Sequence, residues 1–372
     1  MSDTTNTAPT TPKRPRLHYF DMLKGLAIFM VVMGHVITFC IRDIDRSLVF
    51  KLIQEIHMPL FFFISGWFTY KATPDGSLRR PDMARRAVQL LIPMVVVSSL
   101  WIWYFPHSGL QSPLTSTFEG LWSSPWKNGY WFTLVLFEIL ALYCAVTPLL
   151  KGGIGRWLTI ILASWALLLT AVALLPAVWT DYASLGLAAS FWPVFMFGAA
   201  AAKYRDRFAT IVAGGSTVTV CLLLGACLAY FICWPWEFPA LTDSNGIALS
   251  IARTLFHACL AVVAIAVVKP WSERVYSPAA SGAARRIADT WQLLGRKSLA
   301  IYLLHYFFLF PMWTCRQTLV DLSLGFVPTF FLAAFVAAGI IALALGAAAL
   351  IAPSPLLSLL LTGTPPPPKS RK

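Results

Sequence analysis

Three ionisable side chains lie on one stripe of a strongly apolar stretch, FDMLKGLAIFMVVMGH. Lys24 and His35 are eleven residues apart. On an α-helix that spacing is about 1100°, three turns plus about 20°, with a rise of about 16 Å. Asp21, 14 residues before His35, falls about 40° from the same line. One helix face thus carries a carboxylate, an amine and an imidazole at different depths. An ionisable group inside a membrane span costs at least about 2.5 kcal/mol on insertion scales, so such groups mark function by default. A neutral imidazole can take a proton from a poor nucleophile such as a hydroxyl. The plain alternative is that Asp21 and Lys24 form an ion pair at the membrane edge, with Lys24 snorkelling.

Other apolar stretches carry similar exceptions. His57 stands in EIHMPLFFFISGWF, at a depth similar to that of His35. Glu138 lies in the fourth stretch, and Arg253 and His257 lie in the eighth at i, i+4, one above the other on a single helix face. Five groups (His35, His57, Glu138, Arg253 and His257) from four helices are therefore candidates to gather in one half of a bundle. The structural alternatives are helix–helix hydrogen bonds for the histidines and a buried ion pair between Arg253 and Glu138. His305, in SLAIYLLHYFF, is placed toward the inner side and reads as structural.

The elements that position these groups follow from composition. The chain has 372 residues, of which 58% are apolar and 12% charged; a soluble domain carries about 25% charge. Mean hydropathy is +0.69. A water-soluble globule and a disordered chain are both excluded. Ten apolar segments are expected at 17–40, 49–70, 87–105, 130–150, 157–179, 184–202, 211–231, 246–268, 298–319 and 327–351. They are continuous runs without the alternation of barrel strands, and only helices and closed barrels satisfy their backbone in hydrocarbon. The fold class is therefore an all-α integral membrane protein with about ten transmembrane helices.

The net charge of +13 does not point to nucleic acid, because its cations sit in short segments between apolar runs. With the N-terminus inside, 22 of the 29 cations fall in inner segments and 5 in outer ones; Lys24 and Arg253 lie inside spans. This bias puts both termini in the cytoplasm. Residues 1–16 read as a disordered cytoplasmic tail, 17–351 as the transmembrane domain, and 352–372 as a C-terminal end and tail. The seven cysteines, Cys40, Cys144, Cys221, Cys227, Cys233, Cys259 and Cys315, include no CxxC pair. They read as small apolar residues, and no metal site is expected.

Taken in order, several blocks resemble the membrane-bound acyltransferase 3 family, in particular its sugar O-acetylases of the fucose 4-O-acetylase type. They are DMLKGLAIFMVVMGH with Asp21, Lys24 and the Gly34–His35 pair; HMPLFFFISGWF with Ser65 and Gly66; ARRAVQLLIP from Arg85 region to Pro93; YWFTLVLFEI; PVFMFGAAAAKY; and LGRKSLAIYLLHYFF with Ser298, Tyr302 and His305. The resemblance covers about residues 16–351. It departs in one place. Many members carry Arg-x-x-Arg where this chain has Arg86-Ala-Val-Gln89, which leaves Arg85, Arg79 or Arg80 to supply the second charge.

The resemblance implies transfer of an acyl group, commonly acetyl from acetyl-CoA, to a sugar hydroxyl across the membrane, without a bound cofactor. It implies His35 as general base or as a transient acyl carrier, with Asp21 and Lys24 organising the donor. Arg85 and Arg86 are expected to bind the donor, within a basic stretch, Lys71–Arg86, suited to a polyanion. An oxyanion partner is needed; His57, Ser65 and Arg253 are candidates, and Glu138 is a further substrate-side candidate. The expected partners are acetyl-CoA, a saccharide acceptor and the lipid bilayer. A composition rich in Ala, Leu, Arg and Pro agrees with the inner membrane of a bacterium that makes exopolysaccharide. O-antigen sugar, glucan and lipochitin oligosaccharide are further acceptors, and succinyl a further acyl group. A saccharide transporter or flippase is the competing function, with the buried charges as a proton or substrate pathway. The sequence lacks the repeat symmetry that such a pathway is built on.

Overall fold

The structure, a computed structural model, describes residues 17–40, 48–73, 77–107, 118–124, 126–233, 247–278, 281–309 and 325–364. The tail 1–16, the outer cations Arg42, Arg46 and Arg316, Cys315, the second half of the ninth expected segment and the end 365–372 lie outside the described residues. The elements are α1 (His18–Cys40), α2 (Leu48–Thr69), α3 (Met83–His107), α4 (Phe118–Ser123), α5 (Trp131–Val146), α6 (Ile154–Leu174), α7 (Ala177–Tyr182), α8 (Leu185–Lys203), α9 (Arg205–Ala213), α10 (Gly215–Cys233), α11 (Ile247–Val275), α12 (Gly282–Arg296), α13 (Ser298–Leu309), α14 (Phe326–Ile351) and α15 (Pro355–Thr362). Short 3₁₀ turns stand at Lys127–Gly129 and Thr147–Leu149.

Eight of the described helices are long and apolar enough to cross a membrane: α1, α3, α5, α6, α8, α10, α11 and α14. The protein is an all-α integral membrane protein. α2 is equally long at 22 residues, but Lys51, Gln54, Glu55 and His57 make its first half too polar to be counted by composition. α13 is described as a shorter apolar helix of 12 residues.

Burial sorts the helices into a centre and a periphery. In the most apolar window of α1, 67% of residues are buried, and in α8 61%, against 11% in α6 and 17% in α10. A helix that is apolar all round belongs in a bundle interior or against lipid. α1 takes the first place. α6, α10 and α14 take the second, with Leu167, Leu174, Leu223, Phe335 and Leu350 turned outward. Trp103, Tyr104, Trp126, Trp179 and Tyr182 are also exposed. All five sit on segments that the sequence places at the outer surface, where amphipathic rings favour the headgroup level.

Lipid gives little drive for helix association, so close backbone approach matters. Two glycine crossings supply it. A Cβ on Gly25 would stand 2.0 Å from the Trp291 carbonyl oxygen, and one on Gly295 1.8 Å from that of Asp21. These contacts lock α1 against α12. Likewise a Cβ on Gly66 would meet the Phe195 oxygen at 1.9 Å, and one on Gly198 the Phe63 oxygen at 2.0 Å, which locks α2 against α8. The stretch 269–297, between the eighth and ninth expected segments, is largely helical. α11 runs on to Val275, and α12 packs along α1.

Candidate active site

α1 joins two different environments. At its beginning, Asp21 is 6% exposed and holds Lys24 at 2.8 Å (Nζ to Oδ1). The ion pair of the plain alternative is present, and it is wedged at the α12 crossing. The Lys24 ammonium also stands 5.9 Å from the Phe68 ring centre. Phe68 is in turn one wall of a cavity of about 500 Å³ at the end of α2 and the start of α3. Its lining includes Lys71, Arg79, Arg80, Arg85, Arg86 and Gln89, with Asp82 as the one acid among the described residues. Both expected donor-binding residues, Arg85 and Arg86, are in it. So is Gln89, the position where the family pattern breaks, and so are Arg79 and Arg80, two further cations that stand in the same hollow.

Toward the other end of α1, His35 sits in a cluster of rings. Its Nδ1 is 2.8 Å from Nε2 of His305, and its Nε2 is 3.1 Å from the hydroxyl of Tyr306. The two imidazoles are stacked, with centroids 5.0 Å apart and an interplanar angle of 8°. His305 Nδ1 faces the carbonyl oxygens of Tyr302 at 2.7 Å and Ile301 at 3.2 Å. His305 is fully buried and Tyr306 nearly so.

His305 thus belongs beside His35, not toward the inner side as expected from its place seven residues into α13. Counting from Ser298 assumed that α13 begins at the membrane surface. Instead the chain enters alongside α1 as α12, and Gly295 touches α1 between Asp21 and Gly25. Gly25 to His35 and Gly295 to His305 are both ten residues, about 15 Å of helix in each case. The two histidines arrive level.

A left-handed turn holds the tyrosines of α13 in place. Lys127, Asn128 and Gly129 have φ of 45°, 52° and 87°. The turn is clamped by Lys127, which is fully buried and donates to the carbonyl oxygens of Trp122 (2.8 Å), Ser124 (2.7 Å) and Asp181 (2.5 Å). Burial pushes this ammonium down to about 8. The Tyr302 hydroxyl donates to the Gly129 carbonyl at 2.7 Å and accepts from the Phe132 amide at 3.2 Å. A Cβ on Gly129 would stand 1.7 Å from the Tyr306 hydroxyl oxygen, so only glycine leaves room for that side chain.

The remaining expected groups divide. His57 lies within electrostatic reach of His35, and its Nδ1 donates to the carbonyl of Ile53 one turn earlier in α2. Pro59, inside α2, removes the amide that would bond the Glu55 carbonyl, which weakens the helix at this level. Arg253 does not pair with Glu138. Its Nε binds Glu55 Oε1 at 3.0 Å, and Nε2 of His257 stands 3.2 Å from Oε2 of the same carboxylate. Glu138 has Lys127 as its charged neighbour, and its Oε2 is buried without a hydrogen-bond partner among the described residues. Ser65 is eight residues beyond His57 in α2, about 12 Å nearer the cationic cavity. The five groups therefore form separate clusters. From the sequence, His305 reads as structural, Tyr302 enters only within a family block, and Tyr306, Glu55 and Lys127 are assigned no role. Within SLAIYLLHYFF, the i, i+3, i+4 spacing of Tyr302, His305 and Tyr306 was the available signal.

A family model described as an acyltransferase domain matches residues 17–349. The chain belongs to the acyltransferase 3 family. Its long apolar helices make it a multi-pass membrane protein of that family. Two curated relatives are similar over part of their length. The nodulation protein NolL of Sinorhizobium fredii (strain NBRC 101917 / NGR234) is 34% identical over 145 residues, which is 36% of this chain and 38% of that protein. NolL of Mesorhizobium japonicum (strain LMG 29417 / CECT 9101 / MAFF 303099) is 35% identical over 124 residues, 32% of each chain. The chain spans about a third of the length of these relatives. No solved structure matches it.

Proposed function

We propose that this acyltransferase moves acetyl from cytoplasmic acetyl-CoA to a sugar hydroxyl of an extracytoplasmic or lipid-linked saccharide, with His35 as the general base. One observation carries this reading. α1 runs from a cavity lined by five cations to an imidazole held among buried rings. A donor with several phosphates is drawn to the first, and its thin thioester arm reaches past Lys24 toward the second. The 22-to-5 cation bias supports a cytoplasmic cavity, and it orients the bundle in a bacterial inner membrane. Arg79, Arg80, Arg85 and Arg86 neutralise phosphate charge. Asp21 holds Lys24 at the edge of the donor's path. The acceptor enters from the opposite side.

In the reaction, the acceptor hydroxyl attacks the thioester carbonyl while its proton passes to His35. The tetrahedral intermediate then expels the thiolate, which takes that proton as the carbon–sulfur bond breaks. Ester and thiol are the products, and the imidazole is restored. A base of this kind contributes about 10²–10⁴-fold. The oxyanion needs a donor. The Tyr306 hydroxyl stands beside His35 and becomes available once the acceptor hydroxyl displaces it from the imidazole. Direct transfer is taken as the route; acylation of His35 Nε2, the runner-up, would need the same displacement of Tyr306. The partial similarity to nodulation proteins keeps a lipochitin oligosaccharide among the acceptors, beside exopolysaccharide and O-antigen sugars.

The test is mass spectrometry of the saccharide fraction from cells that lack the protein, complemented with wild type or His35→Ala. Sugars heavier by one acetyl group are expected only with wild type, at equal membrane levels of the two proteins. Full acetylation with His35→Ala would remove the base from the mechanism.

A further inference from the structure

The hydrogen bonds around His35 determine which of its nitrogens is the base. His305 Nδ1 faces two carbonyl oxygens, those of Tyr302 at 2.7 Å and Ile301 at 3.2 Å. A carbonyl oxygen can only accept, so His305 Nδ1 carries the hydrogen. In a neutral imidazole the other nitrogen then has the lone pair. That nitrogen, His305 Nε2, stands 2.8 Å from His35 Nδ1. The contact is a hydrogen bond only if His35 Nδ1 donates. His35 Nε2 is then the bare nitrogen, and the Tyr306 hydroxyl donates to it at 3.1 Å. Every step follows from which atoms can donate, starting at two backbone carbonyls.

Resting on the reading of His35 as the base, we propose that His305 is a positioning residue for the transfer. The carbonyls of Ile301 and Tyr302 fix its tautomer, and it fixes that of His35, so that His35 Nε2 is the atom that takes the acceptor's proton. The logic is that of a triad orienter, a role often filled by a carboxylate. A neutral imidazole suits a membrane interior better, because the resting site then buries no charge. When the proton moves from the acceptor hydroxyl to Nε2, His35 becomes an imidazolium. Its Nδ1–H keeps the bond to the His305 lone pair, which stabilises the new charge without accepting a proton. When Nε2 gives its proton to the departing thiolate, both rings return to their starting tautomers. Without His305, no other described residue is within hydrogen-bond distance to hold the hydrogen on Nδ1. The Nε2–H form, which cannot act as base, becomes accessible.

Two substitutions separate this role from simple packing. Glutamine has an amide that can donate to the carbonyls and an oxygen that can accept from His35 Nδ1, so His305→Gln preserves the relay. His305→Leu fills similar space and removes it. Nitrogen-15 spectra of histidine-labelled protein in detergent give the tautomer of His35, with its signal assigned by loss in His35→Ala. Turnover is read as release of CoA thiol from acetyl-CoA with a short alkyl glycoside as acceptor, and as acetylated saccharide in complemented cells. Wild type is expected to show His35 protonated at Nδ1 and bare at Nε2. His305→Leu is expected to shift His35 toward the Nε2–H form and to lower turnover about 10²-fold, with the KM for acetyl-CoA unchanged. His305→Gln is expected to keep the wild-type tautomer and to recover most of the turnover.

Wild-type protein with His35 protonated at Nε2 would overturn the proposal, whatever the variants do. So would His305→Leu with both tautomer and turnover intact, or His305→Gln as inactive as His305→Leu while His35 keeps its tautomer. Failure of the underlying reading looks different. There, His35→Ala would itself remain active. An inactive His35→Ala beside a fully active His305→Leu would reject the relay alone.

Discussion

The two ends of α1 are built on opposite principles. The cavity at its start gathers Lys71, Arg79, Arg80, Arg85 and Arg86 around a space of about 500 Å³, and all but Arg86 of these cations are exposed. The cluster farther along gathers His35, His305, Tyr302 and Tyr306, with ring nitrogens and hydroxyls matched to partners at 2.7–3.2 Å. In the proposed reaction the first would work through summed charge, which several residues share. The second would work through the direction of single hydrogen bonds. Substitutions should therefore cause small, graded losses at the cavity and near-complete losses at the ring cluster.

The largest loss belongs to His35→Ala, up to about 10⁴-fold if His35 is the base. Tyr306→Phe comes next. It keeps the ring packing and removes one donor, so a fall in kcat of about 10²-fold is expected, typical of losing an oxyanion donor, with the KM for acetyl-CoA unchanged. Steady-state kinetics on purified protein checks this; an unchanged kcat would take Tyr306 out of the chemistry. Gly129→Ala should reproduce the Tyr306→Phe defect without touching α13. Its Cβ would meet the Tyr306 hydroxyl oxygen at 1.7 Å, and its φ of 87° is strained for any residue with a side chain. If Gly129→Ala had wild-type kcat, the turn would not be what places Tyr306.

How far these regions could be read in advance differs in the same way. The cavity was legible because charge is legible: a run from Lys71 to Arg86 marks a basic surface in any fold. The stripe of Asp21, Lys24 and His35 was legible because it lies on one helix, where spacing fixes geometry. The ring cluster was not. It depends on α12 entering the bundle beside α1, and the glycine contact that sets this level joins residues 270 positions apart in sequence. Arg253 meets Glu55 and not Glu138 for a related reason. The pair joins residues 198 positions apart, a contact that spacing along one helix does not encode.

Smaller effects test the cavity. Arg86 is its more enclosed cation, and an ion pair near a protein surface contributes about 0.2–1 kcal/mol, more when partly desolvated. Arg86→Gln should therefore raise the KM for acetyl-CoA about 3–10-fold and leave kcat nearly unchanged, the signature of lost uniform binding. The increase should shrink as salt is added, because exposed charges are screened. A fall in kcat of the size seen with Tyr306→Phe would mean that the cavity is coupled to the chemistry, and the contrast between the two ends would fail.

The smallest effect is the most discriminating. Gln89 lines the cavity about one helical turn beyond Arg86, at the position where the Arg-x-x-Arg pattern of the family resemblance would put an arginine. If charge is pooled, the cations already present make a further one nearly redundant, and Gln89→Arg should lower the KM for acetyl-CoA only about 2–5-fold, in keeping with one more surface pair. If instead the Arg-x-x-Arg spacing makes a specific bidentate contact, the gain should exceed tenfold and should persist at high salt, since paired planar hydrogen bonds depend on geometry more than on field. Donor titrations of wild type and Gln89→Arg at low and high ionic strength decide between the two. A small, salt-sensitive gain is expected, because Arg79 and Arg80, which precede the helix, already line the same cavity as Arg85 and Arg86.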